Sequence, residues 1–153
     1  MSSVEVSVVS VACLTNDPAF PRLVRAYSDE SALSGMPAPK ADLVRYQALE
    51  DARALEVLAA YHEGILIGFL SLLFAVLPHY GETVCTTESF FVDPDMRSTG
   101  AAFALMELSY SRGRARQARG LFISAALGSR LLALLERSET FRESHRVFFR
   151  SLS

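Results

Sequence analysis

The chain has 153 residues, half of them hydrophobic, with 15 lysines and arginines against 17 aspartates and glutamates and a formal net charge of −2. Such a chain is long and apolar enough for one domain, residues 1–153, with a buried core, and its near-neutral charge excludes a protein built chiefly to hold a polyanion. Its two cysteines, Cys13 and Cys85, are too far apart in sequence to suggest a metal motif and too few for a disulfide scaffold; both are expected as buried apolar side chains.

The opening "MSSVEVSVVS" has no basic segment followed by a long apolar one, so no secretory signal is expected. Val4, Val6 and Val8 alternate with polar residues and the run then turns apolar to Leu14, which reads as a strand. In "TNDP", Asn16 or Asp17 is placed to cap a helix with Pro18 in its first turn, and Leu23, Val24 and Tyr27 give that helix an apolar side. "SGMPAPK" reads as a loop, and residues from Ala41 to about Leu49 as a short helix with Leu43, Tyr46 and Leu49 at helical spacing. In "LEVLAAYHEGILIGFLSLLFAVL" the His62-Glu63-Gly64 turn separates two apolar runs, a β-hairpin. The second run, Ile65 to Leu77, falls short of the roughly 20 residues a spanning helix needs, so a cytoplasmic chain with no membrane partner is expected.

Thr83 to Val92 reads as a further strand, and Gly100 to Ala118 as a helix with Phe103, Met106 and Tyr110 on one stripe, arginines near its C-terminus and Gly120 closing it. "LFISAAL" reads as a short buried strand, Ser129 to Arg137 as a helix, and Val147-Phe148-Phe149 as a final strand. The order β-α-α-β-β-β-α-β-α-β places the chain in the α/β (α+β) class, with helices flanking a mixed sheet.

The stretch "FFVDPDMRSTGAA", Phe90 to Ala102, passes from strand to helix through a glycine. The first turn of a helix has amides without internal partners, and the helix dipole adds positive character there, so this is a place to hold an anion such as a pyrophosphate. Gly100 permits close approach to the backbone, Ala101 and Ala102 add no bulk, and Arg97 brings positive charge. The terminal Gly-Lys-Ser/Thr of a P-loop and the three spaced glycines of a dinucleotide fold are absent.

Arg97-Ser98-Thr99-Gly100-Ala101-Ala102 resembles the [Gln/Arg]-x-x-Gly-x-[Gly/Ala] coenzyme-A loop of the GNAT acetyltransferase superfamily. "ESFFVDPDMRSTGAAFALMEL" is similar to the strand, loop and helix that carry that motif, "LAAYHEGILIGFLSL" to the family's second and third strands, and "GLFISAALGSRLLALLERSETF" to its fifth strand and fourth helix. The likeness covers roughly Leu55 to Leu152; the first 54 residues match in element order alone. It implies a mixed, mostly antiparallel sheet and N-acetyl transfer from acetyl-CoA, as cosubstrate, to a primary amine of a small molecule or peptide. It further implies that backbone groups near Phe90, Phe91 and Val92 pair with the pantetheine arm where two strands splay. Amides from Ser98 to Ala102 would hold the pyrophosphate.

Unprotonated amine is the nucleophile, so a base is needed, and Glu88 is the candidate: a carboxylate between Thr87 and Ser89 in an otherwise apolar strand, where some family members carry one. His79 and Tyr80 are candidates for lining the acceptor side. The family's asparagine and its acid tyrosine seven residues later fall on Ser129 and Glu136, so the general acid is unassigned: either solvent protonates the thiolate, Ser124 or Ser129 contributes, or turnover is poor; Ser129 is counted with the cofactor contacts. The alternative is a catalytically silent acyl-CoA-binding or interaction module. The arginines of "SRGRARQARG" spread around a helix with no interleaved aromatic residues, which reads as a solvated helix end and not as a nucleic-acid site. No metal spacing is present, and although homodimers are common in the family, no residue specifies one.

Overall fold

Alternating valines near the start form β1 (Val4–Val9), but the strand does not run on to Leu14 as expected. Ser10 interrupts it: its hydroxyl accepts from the Cys13 amide at 3.0 Å and caps α1 (Val11–Thr15), a turn of helix that buries Val11 and Leu14, three residues apart. Cys13 falls on the other face and is exposed, against expectation, whereas Cys85 is buried as expected. This computed structural model describes residues 3–152; Met1, Ser2 and Ser153, the two ends of the expected domain, lie outside the described residues.

Asp17 holds the Ala19 amide at 2.9 Å, and α2 (Phe20–Ser31) begins after it, with Pro21 in its first turn instead of Pro18. Asp42 caps α3 (Leu43–Asp51) through the Arg45 amide at 3.1 Å. The hairpin forms as expected: β2 (Leu55–His62) turns at Glu63-Gly64 into β3 (Ile65–Leu77), and β4 (Glu82–Val92) follows. A short 3-10 segment (Pro94–Thr99) leads to α4 (Ala101–Ala115). Of the expected buried strand only β5 (Leu121–Phe122) pairs, and α5 (Arg130–Glu136) follows.

The sheet runs in chain order, β1-β2-β3-β4-β5; β1 to β4 are antiparallel and β5 lies parallel to β4. The fold is therefore a mixed α/β arrangement around a mostly antiparallel sheet. Both faces are covered, which is why the central strands read as unbroken apolar runs. Leu58, Ala60, Leu70 and Leu72 pack with α4 through Ala101 and Leu105 on one face. Val57, Ala59, Phe69 and Phe91 pack with α1 and α2 through Val11, Leu14 and Leu23 on the other.

The final strand expected at Val147-Phe148-Phe149 does not form: Val147 and Phe148 are 93% and 90% exposed, and among the described residues no strand follows α5. An apolar triplet supplies strand propensity, but pairing needs a neighbouring edge, and local pattern says nothing about one. The stripe expected on α4 is also displaced. Phe103 and Tyr110 are exposed, and the buried face is Ala101, Leu105, Met106, Ser109 and Gly113. Small residues on that face let α4 lie close to the sheet. Its end is set by Gln117 and not by Gly120: Gln117 takes a left-handed conformation, its amide donates to Arg114 and the Ala118 amide to Gly113.

Arg114 and Arg119 at this end are exposed, as a solvated helix end implies, but three of the four arginines also have partners on the sheet. Arg112 donates twice to Glu56, at 2.7 and 2.9 Å, Arg116 stacks 3.7 Å from the Phe74 ring centre, and Arg119 pairs with Glu82 at 3.1 Å. They tie α4 and the chain beyond it to the sheet.

At the far end of β4, β3 approaches unusually closely: a Cβ on Gly68 would lie 2.8 Å from the Phe91 carbonyl oxygen and 3.1 Å from Val92. Backbone cannot yield as a flexible side chain can. Gly68→Ala is therefore expected to lower stability by about 1–3 kcal/mol, the usual cost of overpacking, read from denaturant midpoints. An unchanged midpoint would show that the strands part without cost.

Candidate active site

The polar triplet Thr87-Glu88-Ser89 interrupts β4 at a bulge. Ser71 of β3 sits opposite Ser89 and Leu72 opposite Thr87, so Glu88 has no partner residue. The extra residue reverses the alternation of the strand. Glu88 and Ser89 consequently both face the cleft beneath α2 and α3, and Phe90 and Val92 return to the α4 face of the core. At the same point β5 parts from β4: the two strands pair only at Cys85–Leu121 and Thr86–Phe122. Beyond that, the Ser124 amide reaches the Thr87 hydroxyl, at 3.3 Å, instead of main chain. Bulge and splay coincide, so a carboxylate stands beside an opening in the sheet.

One oxygen of Glu88 is fixed by two hydroxyl donors, Tyr46 from α3 at 2.6 Å and Ser71 from β3 at 2.7 Å. Ser71 also lies 2.6 Å from the Ser89 hydroxyl. Burial first, then the hydrogen bond to Glu88 and its negative charge, push the Tyr46 phenol well above the ordinary tyrosine range. Burial and the same carboxylate raise Tyr27. Both phenols are therefore neutral donors at any ordinary assay pH. The network opens on a cleft of about 550 Å³ lined by α1, α2, α3, the loop between α2 and α3, and the middle of β2 to β4.

Sequence reasoning singled out Glu88 but not Tyr46, Ser71 or Ser89 as its partners. One signal was present in the sequence: a lone hydroxyl in the apolar run of β3. Tyr46, Leu43 and Leu49 do share a face of α3, but that face borders the cleft.

The strand-to-helix stretch forms as the glycine implies. Asp93 caps the 3-10 segment through the Asp95 amide at 3.2 Å and pairs with Arg22 of α2 at 2.6 Å. Gly100 then takes φ +86°, the left-handed region, and α4 starts at Ala101 with no side-chain cap. A Cβ on Gly100 would meet nothing within 4 Å, and Ser98 and Gly100 are exposed. The start of α4 is thus open on the Gly100 side; the Ala101 amide has a long contact, 3.4 Å, to the Thr99 hydroxyl. Ala101 itself is buried and Ala102 half-buried, so the first turn packs against the sheet without bulk on its open side.

Arg97 does not aim its charge at those amides. Its guanidinium donates to Glu30 of α2 at 2.6 and 2.8 Å and to the Val92 carbonyl at 3.0 Å, and lies 5.6 Å from the Phe91 ring centre. Two consequences follow for the expected contacts. The Val92 carbonyl is already occupied, and Glu30 competes with any anion for Arg97. Removing that competitor with Glu30→Gln is expected to tighten acetyl-CoA binding about 2- to 5-fold, the range of an exposed ion pair, measured by calorimetry at low salt. Weaker binding would mean that the Arg97–Glu30 pair instead holds the loop in its binding shape.

Phe91 and Val92 are buried and Phe90 packs against the core beside α4, so these three can offer only main chain toward the splay. His79 and Tyr80 are not brought to the cleft. They occupy the exposed tip of the β3–β4 hairpin, beyond Leu77, which is six residues or about 20 Å of strand from Ser71. The long hairpin carries them away from the site, which length alone could have signalled. Ser129 caps α5, its hydroxyl accepting from the Leu132 amide at 3.1 Å. Its side chain is thereby committed to the helix. Glu136 ends the same helix and is exposed.

The acetyltransferase (GNAT) family model matches residues 20–138. Among curated protein sequences none matches significantly. Among solved structures, the chain resembles a ribosomal-protein-alanine N-acetyltransferase from Brucella melitensis biovar Abortus 2308, with TM-score 0.71 and 20% identity over 97% of this chain and 99% of that one. It also resembles an aminoglycoside acetyltransferase from an uncultured soil metagenomic sample, with TM-score 0.75 and 19% identity over 99% of both chains. The aminoglycoside N-acetyltransferase AAC(6')-Iy in complex with CoA has TM-score 0.75 and 20% identity, over 98% of this chain and 95% of that one. At these identities the likeness establishes the fold. The family match spans most of the chain, which belongs to the acetyltransferase (GNAT) family.

Proposed function

We propose that the protein is an N-acetyltransferase that moves the acetyl group of acetyl-CoA to a primary amine by direct attack, with Glu88 as the base. The observation that carries this reading is the coincidence of bulge and splay. A carboxylate with one oxygen fixed by Tyr46 and Ser71 stands where β4 and β5 part, one strand length from an open helix start at Gly100.

In this reading the amides from Ser98 to Ala102 bind the diphosphate, and Arg97 contributes once released from Glu30. The outer edge of β4 past Thr86 receives the pantetheine arm as a short extra strand. An alkylamine near pKa 10 is only about one part in a thousand neutral at pH 7, so supplying the nucleophile is worth about 4 kcal/mol. Glu88 accepts one proton from the ammonium. The neutral nitrogen attacks the thioester carbonyl, a C–N bond forms and the C–S bond breaks, and the nitrogen releases its second proton to solvent as the amide forms. The thiolate leaves with a proton to give CoA and an N-acetyl amide. No tyrosine stands at the Glu136 position and Ser129 is committed to its helix, so the proton returns from Glu88 or from solvent. A thiol with the usual pKa near 8.5 leaves without a dedicated acid.

A silent acyl-CoA-binding module is the second reading, favoured by the missing tyrosine. Thiol release, followed with acetyl-CoA and a panel of amines, separates the two. Saturable acetyl-CoA binding with amine-dependent thiol release is the expected result. Binding without release under any amine would leave the silent module.

A further inference from the structure

Resting on the transferase reading above, we propose that the acceptor is a monoamine on an apolar body of about the size of an aromatic ring, and not a polyamine or an aminoglycoside.

The cleft that holds Glu88 collects apolar surface the fold does not bury. Leu33, Met36, Leu43 and Leu49 are between 37% and 58% exposed, and all four line it. They come from α3 and the loop before it, and face the aromatic wall formed by Tyr27 and Phe69, whose rings meet edge-on at 5.6 Å. Large apolar side chains clustered at one concavity mark a binding surface for something apolar. At about 550 Å³ the cleft suits a small molecule.

Its charges point the same way. The charged lining residues are Glu88, Asp42, Lys40 and Arg45, two of each sign. Asp42 is spent: it caps α3 and pairs with Arg45 at 3.1 Å. Glu88 makes no ion pair among the described residues, and neither does Lys40. The cleft therefore offers one carboxylate to a cation, at its polar floor, and places a cation of its own on the wall. A single ammonium finds its partner at Glu88 while its body covers Leu33, Met36 and Phe69. A polycation would leave its remaining charges against apolar wall and Lys40, where desolvation is uncompensated.

The test measures thiol release at saturating acetyl-CoA with phenethylamine, spermidine and an aminoglycoside, and calorimetric binding of the same amines to the protein loaded with CoA. We expect kcat/KM for phenethylamine to exceed the other two at least 10-fold, with the same order in affinity. Leu33→Asp combined with Met36→Asp should lower the phenethylamine value at least 10-fold, raise that for spermidine, and leave acetyl-CoA affinity unchanged. Equal or better use of spermidine or the aminoglycoside overturns the proposal, as does a ratio that the double variant does not move. If no amine releases thiol, the transferase reading fails. The binding order then decides the cleft's preference alone: tighter phenethylamine binding supports it, and no preference overturns it.

Discussion

Replacing Glu88 with glutamine is expected to lower kcat for amine acetylation by about 100- to 1000-fold at pH 7, within the usual range for removal of a positioned base. The amide is nearly the same shape and still accepts from Tyr46 and Ser71, so the thermal midpoint should hold. The loss should shrink as pH rises, because below the amine pKa each increase of one pH unit gives about tenfold more neutral nucleophile. Between pH 7 and 9 the variant's rate should climb close to tenfold per unit and the parent's less steeply. Tyr46 does not confuse this profile. Its folded pKa lies above the unfolded value near 10, so the stability it contributes is fully present below about pH 10 and is lost only above, outside the assay window. Parallel pH–rate curves for parent and variant would remove Glu88 from the base role.

The second large effect is expected at Gly100. Valine there must adopt φ +86°, at a cost of about 1–2 kcal/mol for a residue with a Cβ, and its branches enter the open space over the first amides of α4. Acetyl-CoA affinity should fall more than 100-fold with a modest loss of stability. Gly100→Asn separates the two causes, since asparagine tolerates the left-handed region. It should keep nearly all the stability and still weaken binding about 10-fold, because the added side chain would stand in the proposed diphosphate site. Unchanged affinity in both folded variants would place the cofactor elsewhere.

Where the sequence was legible, local rules and long-range packing agreed. Strict apolar runs around Glu63-Gly64 gave the hairpin, and the glycine after Arg97 marked a left-handed residue at a helix start. The polar triplet in β4 flagged Glu88. Two kinds of feature stayed hidden. One depends on pairing partners: β5 is cut to two residues and the Val147–Phe149 strand is missing, because propensity alone does not supply a neighbouring edge. The other depends on which side of an element meets the core. Phe103 and Tyr110 looked like a buried stripe, yet small residues let α4 pack closely and turned them outward. The partners of Glu88 lie 17 and 42 residues from it, so only the fold brings them together. Arg97 was legible as a charge, but its engagement by Glu30, 67 residues away, was not.

In the proposed geometry a diphosphate rests on the amides around Gly100, and the sulfur end passes through the splay to the cleft beside Glu88. The most direct measurement is a crystal structure of the protein soaked or grown with CoA. Diphosphate density is expected against the amides from Ser98 to Ala102, with the thiol between β4 and β5 beyond Thr86, within reach of the Glu88 cleft. Density for the diphosphate elsewhere on the molecule, with those amides facing solvent, would contradict this geometry.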